Sequence, residues 1–244
     1  MLETNGYVLV KKDYSLEHSQ LDISGEQGFL EIYKQCQPYS MTSRERMYAL
    51  YKAVEYIAKN QIPGDIVECG VWKGGSSMLS ALSLQKFQDT TRNIYLYDTY
   101  CGMSEPTDKD ADYGGRSVAD ILEATGITTT EFCYASLSEV KENLKTTAYP
   151  SKQLLFVEGK VEDTIPQTLP KQISILRLDT DWYESTYHEL CYLFPLLSVG
   201  GVIIIDDYGH WKGAKDATDQ YIRDHEVKIL LNRIDYTGRI GIKV

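Results

Sequence analysis

An α/β fold built on a doubly wound, mostly parallel sheet is what this chain predicts, and three observations predict it. Strand-like runs alternate with helix-periodic runs from Asp65 to Arg223. The first of them, Asp65-Ile-Val-Glu-Cys69, opens into a glycine-rich turn and then a helical segment. Two later runs, Ile173-Ser-Ile-Leu-Arg-Leu178 and Gly201-Val-Ile-Ile-Ile205, end abruptly in acids, Asp179-Thr-Asp181 and Asp206-Asp207. Ligands collect at the carboxyl ends of strands in an open parallel sheet, so this ending marks a site as well as a fold.

The elements follow in order. Residues 1–41 are polar and weakly periodic and read as an extension of short helices, with the main domain over 42–244. Thr42-Ser-Arg-Glu45 has the form of a capping box, a hydroxyl accepting from the third helical amide while Glu45 reaches back. Behind it Met47, Leu50, Tyr51, Val54, Ile57 and Ala58 share one helical face, and Ile62-Pro-Gly64 stops the helix. After the first strand a helix is expected over Ser76–Lys86. Asn93–Tyr97 and Leu154–Val157 give the second and third strands, and Ile173–Leu178 the fourth. A helix follows, carrying Tyr187, Leu190, Cys191, Phe194 and Leu197 on one face. Val202–Ile205 is the fifth strand, and a helix spans Ala214–Arg223. Lys228–Leu231 and Arg239–Val244 close as a strand pair around Asp235–Gly238, completing seven strands with one antiparallel edge. Between Cys101 and Gly115 lies a polar, turn-rich segment just beyond the second strand, placed to act as a lid.

Bulk properties narrow the function. A chain of 244 residues with 43% hydrophobic and 25% charged residues suits one sizeable soluble domain. Net charge of −10 and the lack of any Lys/Arg run argue against nucleic acid and against an anionic membrane surface. The five scattered cysteines (Cys36, Cys69, Cys101, Cys133, Cys191) form no CxxC pair, as expected of reduced thiols in a cytoplasmic protein. Met1-Leu-Glu-Thr-Asn-Gly-Tyr7 has no basic region leading into an apolar run and so does not read as a signal peptide.

The acids carry the chemistry. Two neighbouring strands ending in this way bring Asp179, Asp181, Asp206 and Asp207 to one rim. Four carboxylates repel unless a cation lies among them, and hard divalent ions such as Mg²⁺ take oxygen ligands of this kind. In an extended segment residues two apart face one side, so Asp179 and Asp181 would both point at a substrate. A helix cap is the bland alternative for Asp206 or Asp207. In the first turn, Glu68-Cys-Gly70-Val-Trp-Lys-Gly74-Gly75-Ser76 offers close backbone approach and free helix amides. Its spacing departs from GxGxxG, which disfavours a dinucleotide. Glu68 would suit a cationic ligand such as S-adenosylmethionine, and Asp98, ending the second strand, is placed for ribose hydroxyls.

Five segments in order resemble the macrocin O-methyltransferase (TylF) family. They are Ile62–Ser76, Asp98–Thr107, Gly159–Pro166, Asp179–Thr186 and Asp206–Ala214, so the resemblance runs from about Thr42 to Tyr221. It implies a Rossmann-like class I methyltransferase fold and a Mg²⁺-dependent, S-adenosylmethionine-dependent enzyme. It also implies a sugar hydroxyl as acceptor, on a glycosylated natural product or surface glycan, and a homo-oligomer. Carried over residue by residue, it assigns Asp179, Asp206 and Asp207 to the metal and Asp181 to the general base. A carboxylate with a pKa near ~3.9 is a weak base for a sugar hydroxyl unless a cation acidifies that hydroxyl. Gly70, Gly74 and Ser76 would line the cofactor. Asp163, or else Glu162, would accept from the adenine amine. Thr42 and Ser43 would both cap their helix and reach the methionine end. His210 is a second candidate base, and Trp182, Tyr183 and Trp211 sit near it in sequence, suited either to sugar faces or to packing.

Three rivals remain. A catechol or other vicinal-diol acceptor keeps fold and metal, but enzymes of that kind often carry Lys where Asp181 stands. A nicotinamide dehydrogenase lacks its GxGxxG and its Tyr-x-x-x-Lys relay here. A non-catalytic ligand-binding module fits poorly with an intact set of four acids.

Overall fold

The computed structural model describes residues 2–4, 7–9 and 21–244. Its centre is a seven-stranded sheet. With β1 (Leu2–Thr4) and β2 (Tyr7–Leu9) forming a separate antiparallel pair, the main strands are β3 (Asp65–Cys69), β4 (Ile94–Asp98), β5 (Leu154–Glu158), β6 (Ile173–Leu178), β7 (Leu197–Ile205), β8 (Asn232–Arg233) and β9 (Arg239–Ile242). They lie in the order β5-β4-β3-β6-β7-β9-β8, parallel except where β9 pairs with β7 and β8. The doubly wound prediction is therefore borne out, antiparallel edge included. Strand order reverses between β3 and β6, the switch point where such sheets open a crevice.

Both faces of the sheet are covered, and the strands read as near-continuous apolar runs for that reason. Ile66, Ile94, Leu96, Ile175, Val202 and Ile204 face one core. That core also takes α1 (Leu21–Gly25), α2 (Gln27–Cys36), α3 (Arg44–Lys59) and α4 (Gly75–Lys86). Val67, Tyr97, Leu176, Leu178, Ile203 and Ile205 face the other, against α8 (Tyr183–Leu193) and α9 (Lys212–Asp224). Leu50, Val54 and Ile57 are buried along one stripe of α3, each contributing about 1.5–3 kcal/mol. Phe29, Ile32 and Cys36 of α2 enter the same core, so at least this part of the N-terminal extension packs as structure.

Several local expectations need correction. Ser43, not Thr42, caps α3: its hydroxyl accepts from the Arg46 amide at 3.1 Å, while Thr42 lies outside the helix. Either of two adjacent hydroxyls satisfies the pattern, and the chain entry angle selects the second. The helix expected to carry Phe194 and Leu197 stops at Leu193, because Pro195 cannot continue it, and Leu197 already begins β7. The closing pair is shorter than expected, with Asn232–Arg233 replacing the run at 228–231. Two short helices, α5 (Val118–Thr125) and α6 (Leu137–Lys145), fill a stretch to which no element was assigned; α7 (Val161–Thr164) follows β5. No helix among the described residues is long and apolar enough to cross a membrane.

Candidate active site

The crevice at the switch point is built on one buried cation. Glu68 and Arg177 are register partners on β3 and β6, facing the side of the sheet covered by α3 and α4. Arg177 Nη1 contacts Glu68 Oε1 at 2.6 Å and Asp179 Oδ2 at 2.7 Å, while Nη2 contacts Asp206 Oδ1 at 2.7 Å. Burial alone would lower the arginine's pKa, but Asp179, Asp206 and Glu68 together hold it well above the ordinary value. The second oxygen of Asp206 takes Arg46, from the first turn of α3, and the Thr42 hydroxyl at 3.3 Å. Arg46 also reaches Asp235 at 3.0 Å, and Ser43 donates to the same oxygen at 2.6 Å. Burial pushes the Glu68 carboxyl up against the pull of Arg177 and Ser77, which both bond it.

Three carboxylates converge on the cleft side, one of them, Asp179, also held by Arg177. Asp179, Asp181 and Asp207 each offer an oxygen within 4.8 Å of the others. Burial lifts all three above the ordinary carboxylate range, Asp181 to about 7, and repulsion from neighbouring acids adds to it at each. Asp207 Oδ2 is buried with no hydrogen-bond partner. An orphaned acidic oxygen among two others is what an oxygen-loving cation would satisfy, so the donor set fits Mg²⁺. The convergence is not made by an extended segment as expected. Asp181 takes a left-handed conformation, φ +66°, which Asp tolerates better than most residues, and this turn redirects its carboxylate. Of the acids assigned to the metal from sequence, Asp179 and Asp207 join the cluster, whereas Asp206 faces the two arginines.

The cleft beside this cluster has a volume of about 330 Å³ and is lined by Arg46, Glu68, Gly70, Ser76, Asp98, the acids and His210. A smaller cavity of about 50 Å³ continues it past Gly70 and Asp98 to Gly159, Glu162, Thr180 and Ser185. Gly70 is required here: its φ is +83°, and a Cβ would lie 2.0 Å from the Asp179 carbonyl oxygen. Gly74 caps α4 and packs against Leu144, away from the cleft lining. Asp98 accepts from the Val71 and Trp72 amides at 2.7 and 3.0 Å, and from the Tyr100 amide at 2.7 Å. It thus shapes the glycine-rich turn while facing both cavities. Glu162 lines the inner cavity, whereas Asp163 is exposed in an outer groove with Glu158 and Lys141. Ser43 turns to Asp235, and Thr42 lines the cleft.

His210 is half-buried, and burial holds its imidazole below the ordinary value. Trp182 and Trp211 meet edge-on at 5.3 Å in a small apolar cluster with Val118 and Ala214, and Trp211 also lines the cleft. The segment from Cys101 to Gly115 is pinned: Trp182 Nε1 donates to the Ser104 carbonyl at 2.9 Å, and buried Asp110 accepts the Tyr183 amide at 2.8 Å. Arg46, Arg177 and Asp235 were missed in the sequence. An Arg inside a strand otherwise wholly apolar, as at Arg177, was the available signal.

A doubly wound sheet of this strand order, with a cleft at its switch point, is the fold of class I O-methyltransferases. The solved O-methyltransferase NovP has it, at TM-score 0.74 and 29% identity over 84% of this chain and 82% of that one. The calicheamicin methyltransferase CalS11 shares the fold at TM-score 0.60 and 17% identity, over 99% and 97% of the two chains. The sequence model of the Macrocin-O-methyltransferase (TylF) family matches residues 31–240, and the chain belongs to that family. It is 31% identical to the demethyldecarbamoylnovobiocin O-methyltransferase of Streptomyces niveus, over 82% of this chain and 74% of that one. It is 28% identical to the mycinamicin III 3''-O-methyltransferase of Micromonospora griseorubida, over 82% and 76%. The protein is accordingly an O-methyltransferase, with S-adenosylmethionine as methyl donor.

Proposed function

We propose that the acceptor is a sugar hydroxyl of a glycosylated natural product and that the reaction depends on Mg²⁺. The convergence of Asp179, Asp181 and Asp207 at the edge of the cofactor cleft carries this reading. Relatives named for methylating mycinamicin III and demethyldecarbamoylnovobiocin support the acceptor class. Asp179 and Asp207 would hold the ion. Asp206, the third ligand expected from sequence, reaches it only if Arg46 swings away; otherwise it acts from behind through Arg177. When bound, Mg²⁺ supplies Lewis-acid polarisation of the acceptor oxygen.

The chain's own groups do the rest. Asp181 takes the hydroxyl proton, and the acceptor oxygen attacks the methyl carbon in line as the carbon–sulfur bond breaks. Asp98 and Glu162 line the cavities that receive the ribose and adenine, and the amides of the Gly70–Ser76 turn approach the rest of the cofactor. His210 lines the same cleft and is the alternative proton acceptor. Residues 42–244 form the catalytic domain and 1–41 its extension, and family resemblance supports a homo-oligomer.

The test has two stages. S-adenosylhomocysteine should bind saturably at micromolar concentration while NAD does not. Protein stripped with EDTA should then methylate a sugar-bearing acceptor only when Mg²⁺ is restored. Undiminished turnover after stripping would remove the metal from the reaction, and absent S-adenosylhomocysteine binding would remove the donor.

A further inference from the structure

Two exposed tyrosines contact His210, a residue of the cleft lining. Tyr113 is 76% exposed and Tyr236 57% exposed. Their ring centroids lie 5.7 and 5.9 Å from the His210 imidazole, which itself lines the cleft beside Asp181 and Asp207. Neither ring is packing into a core.

Their positions are nonetheless fixed from below. The His210 and Trp211 amides both donate to the Asp207 carbonyl, at 2.9 and 3.0 Å. Residues 111–112 bridge to the same loop, through Asp112 with Trp211 and through the Lys212 amide to the Ala111 carbonyl at 2.8 Å. On the other side Gly209 packs so closely that a Cβ would lie 2.0 Å from the Tyr236 carbonyl oxygen. The Tyr236 hydroxyl meets His210 Nδ1 at 3.3 Å. Asp235, one residue away, ties the turn to Arg46 and Ser43 of α3. Rigid aromatic side chains on an anchored backbone bind with little loss of conformational freedom.

We propose that Tyr113, His210 and Tyr236 form an acceptor-binding platform for an aromatic aglycone, the ring system attached to the sugar being methylated. The inference rests on the sugar-acceptor reading above. A hydroxyl delivered to Asp181 places the rest of the acceptor outward, against these rings, where flat faces and edges suit aromatic partners.

The test is calorimetric, on the full chain loaded with S-adenosylhomocysteine and Mg²⁺, the loading itself being read first. The probes are 4-nitrophenyl α-L-rhamnoside, methyl α-L-rhamnoside and dTDP-L-rhamnose. The aryl glycoside should bind about five- to tenfold more tightly than the methyl glycoside, the increment one aromatic contact supplies. Tyr113→Ala and Tyr236→Ala should each erode that preference and leave binding of the methyl glycoside and of S-adenosylhomocysteine unchanged. Equal affinity for aryl and methyl glycosides, no binding of the aryl glycoside, or tighter binding of dTDP-L-rhamnose would overturn the platform. Failure of the loading step, by contrast, would strike the donor assignment.

Discussion

Arg177 Nη2 sits 2.7 Å from Asp206 Oδ1, and both side chains are almost wholly shielded from water. This contact joins the ends of two neighbouring strands and fixes one oxygen of Asp206. Removing one partner of such a pair leaves uncompensated charge in the interior, a loss of about 3–5 kcal/mol. Arg177→Met should therefore lower stability by that order in urea unfolding, since Glu68 and Asp179 lose their cation and Asp206 keeps only Arg46. Arg177→Lys should recover only part of it, because a single ammonium cannot span three carboxylates as the guanidinium does. A loss below about 1 kcal/mol for the Met variant would show that the acids are protonated without it.

Asp181 is separable from the binding machinery. Asp181→Asn should cut kcat by about 10²- to 10⁴-fold, the usual contribution of a positioned base. Binding of S-adenosylhomocysteine, measured by calorimetry, should stay nearly unchanged, since Asp181 does not line the inner cavity with Asp98 and Glu162. Turnover close to the parent rate would move the base to His210, and His210→Gln would then show the loss instead.

The strands, their order of appearance and the acidic strand ends were legible because each is a local pattern: apolar runs of five or six residues, then charge. The pairing of those acids was not. Arg46 meets Asp206 across 160 positions and Arg177 meets Glu68 across 109, and no spacing rule reports contacts of that range. From sequence alone four neighbouring acids look equivalent, and only the fold separates Asp206, held by two arginines, from the three that converge on one another. The adjacent alternatives failed for a related reason. Thr42 and Ser43 fit the same cap, and Glu162 and Asp163 lie in one helical turn, where direction rather than identity decides. The helices at Val118 and Leu137 escaped notice because each buries only one or two residues.

Asp235 gives the fold an acid-sensitive tie. Burial alone would raise its carboxyl, but Ser43, the Gly238 and Thr237 amides and Arg46 outweigh burial and hold it below the ordinary value. A depressed folded value contributes stability above the unfolded carboxylate range, near pH ~4, and loses it as pH falls through the folded value. Asp235→Asn should accordingly cost about 1–2 kcal/mol at neutral pH. The two thermal stability curves should converge in acid, once the parent's carboxyl is protonated. A gap that stays constant down to the acid limit would assign the effect to packing of the 235–238 turn instead of to charge.

Glu162 and Asp163 offer the last discrimination, because they are consecutive and only Glu162 lines the inner cavity. Glu162 lines the inner cavity with Asp98 and Thr180, and its Oε1 accepts from Ser185 at 2.9 Å. Asp163 opens on the outer groove beside β5. If the adenine amine occupies the inner cavity, Glu162→Ala removes an acceptor from it, and S-adenosylhomocysteine should bind about three- to tenfold more weakly. Asp163→Ala should leave the same titration unchanged, although it removes an identical functional group one residue away. The reverse ranking would place the adenine in the outer groove against Lys141 and Phe156, and the donor would then lie along the sheet edge instead of over the switch point.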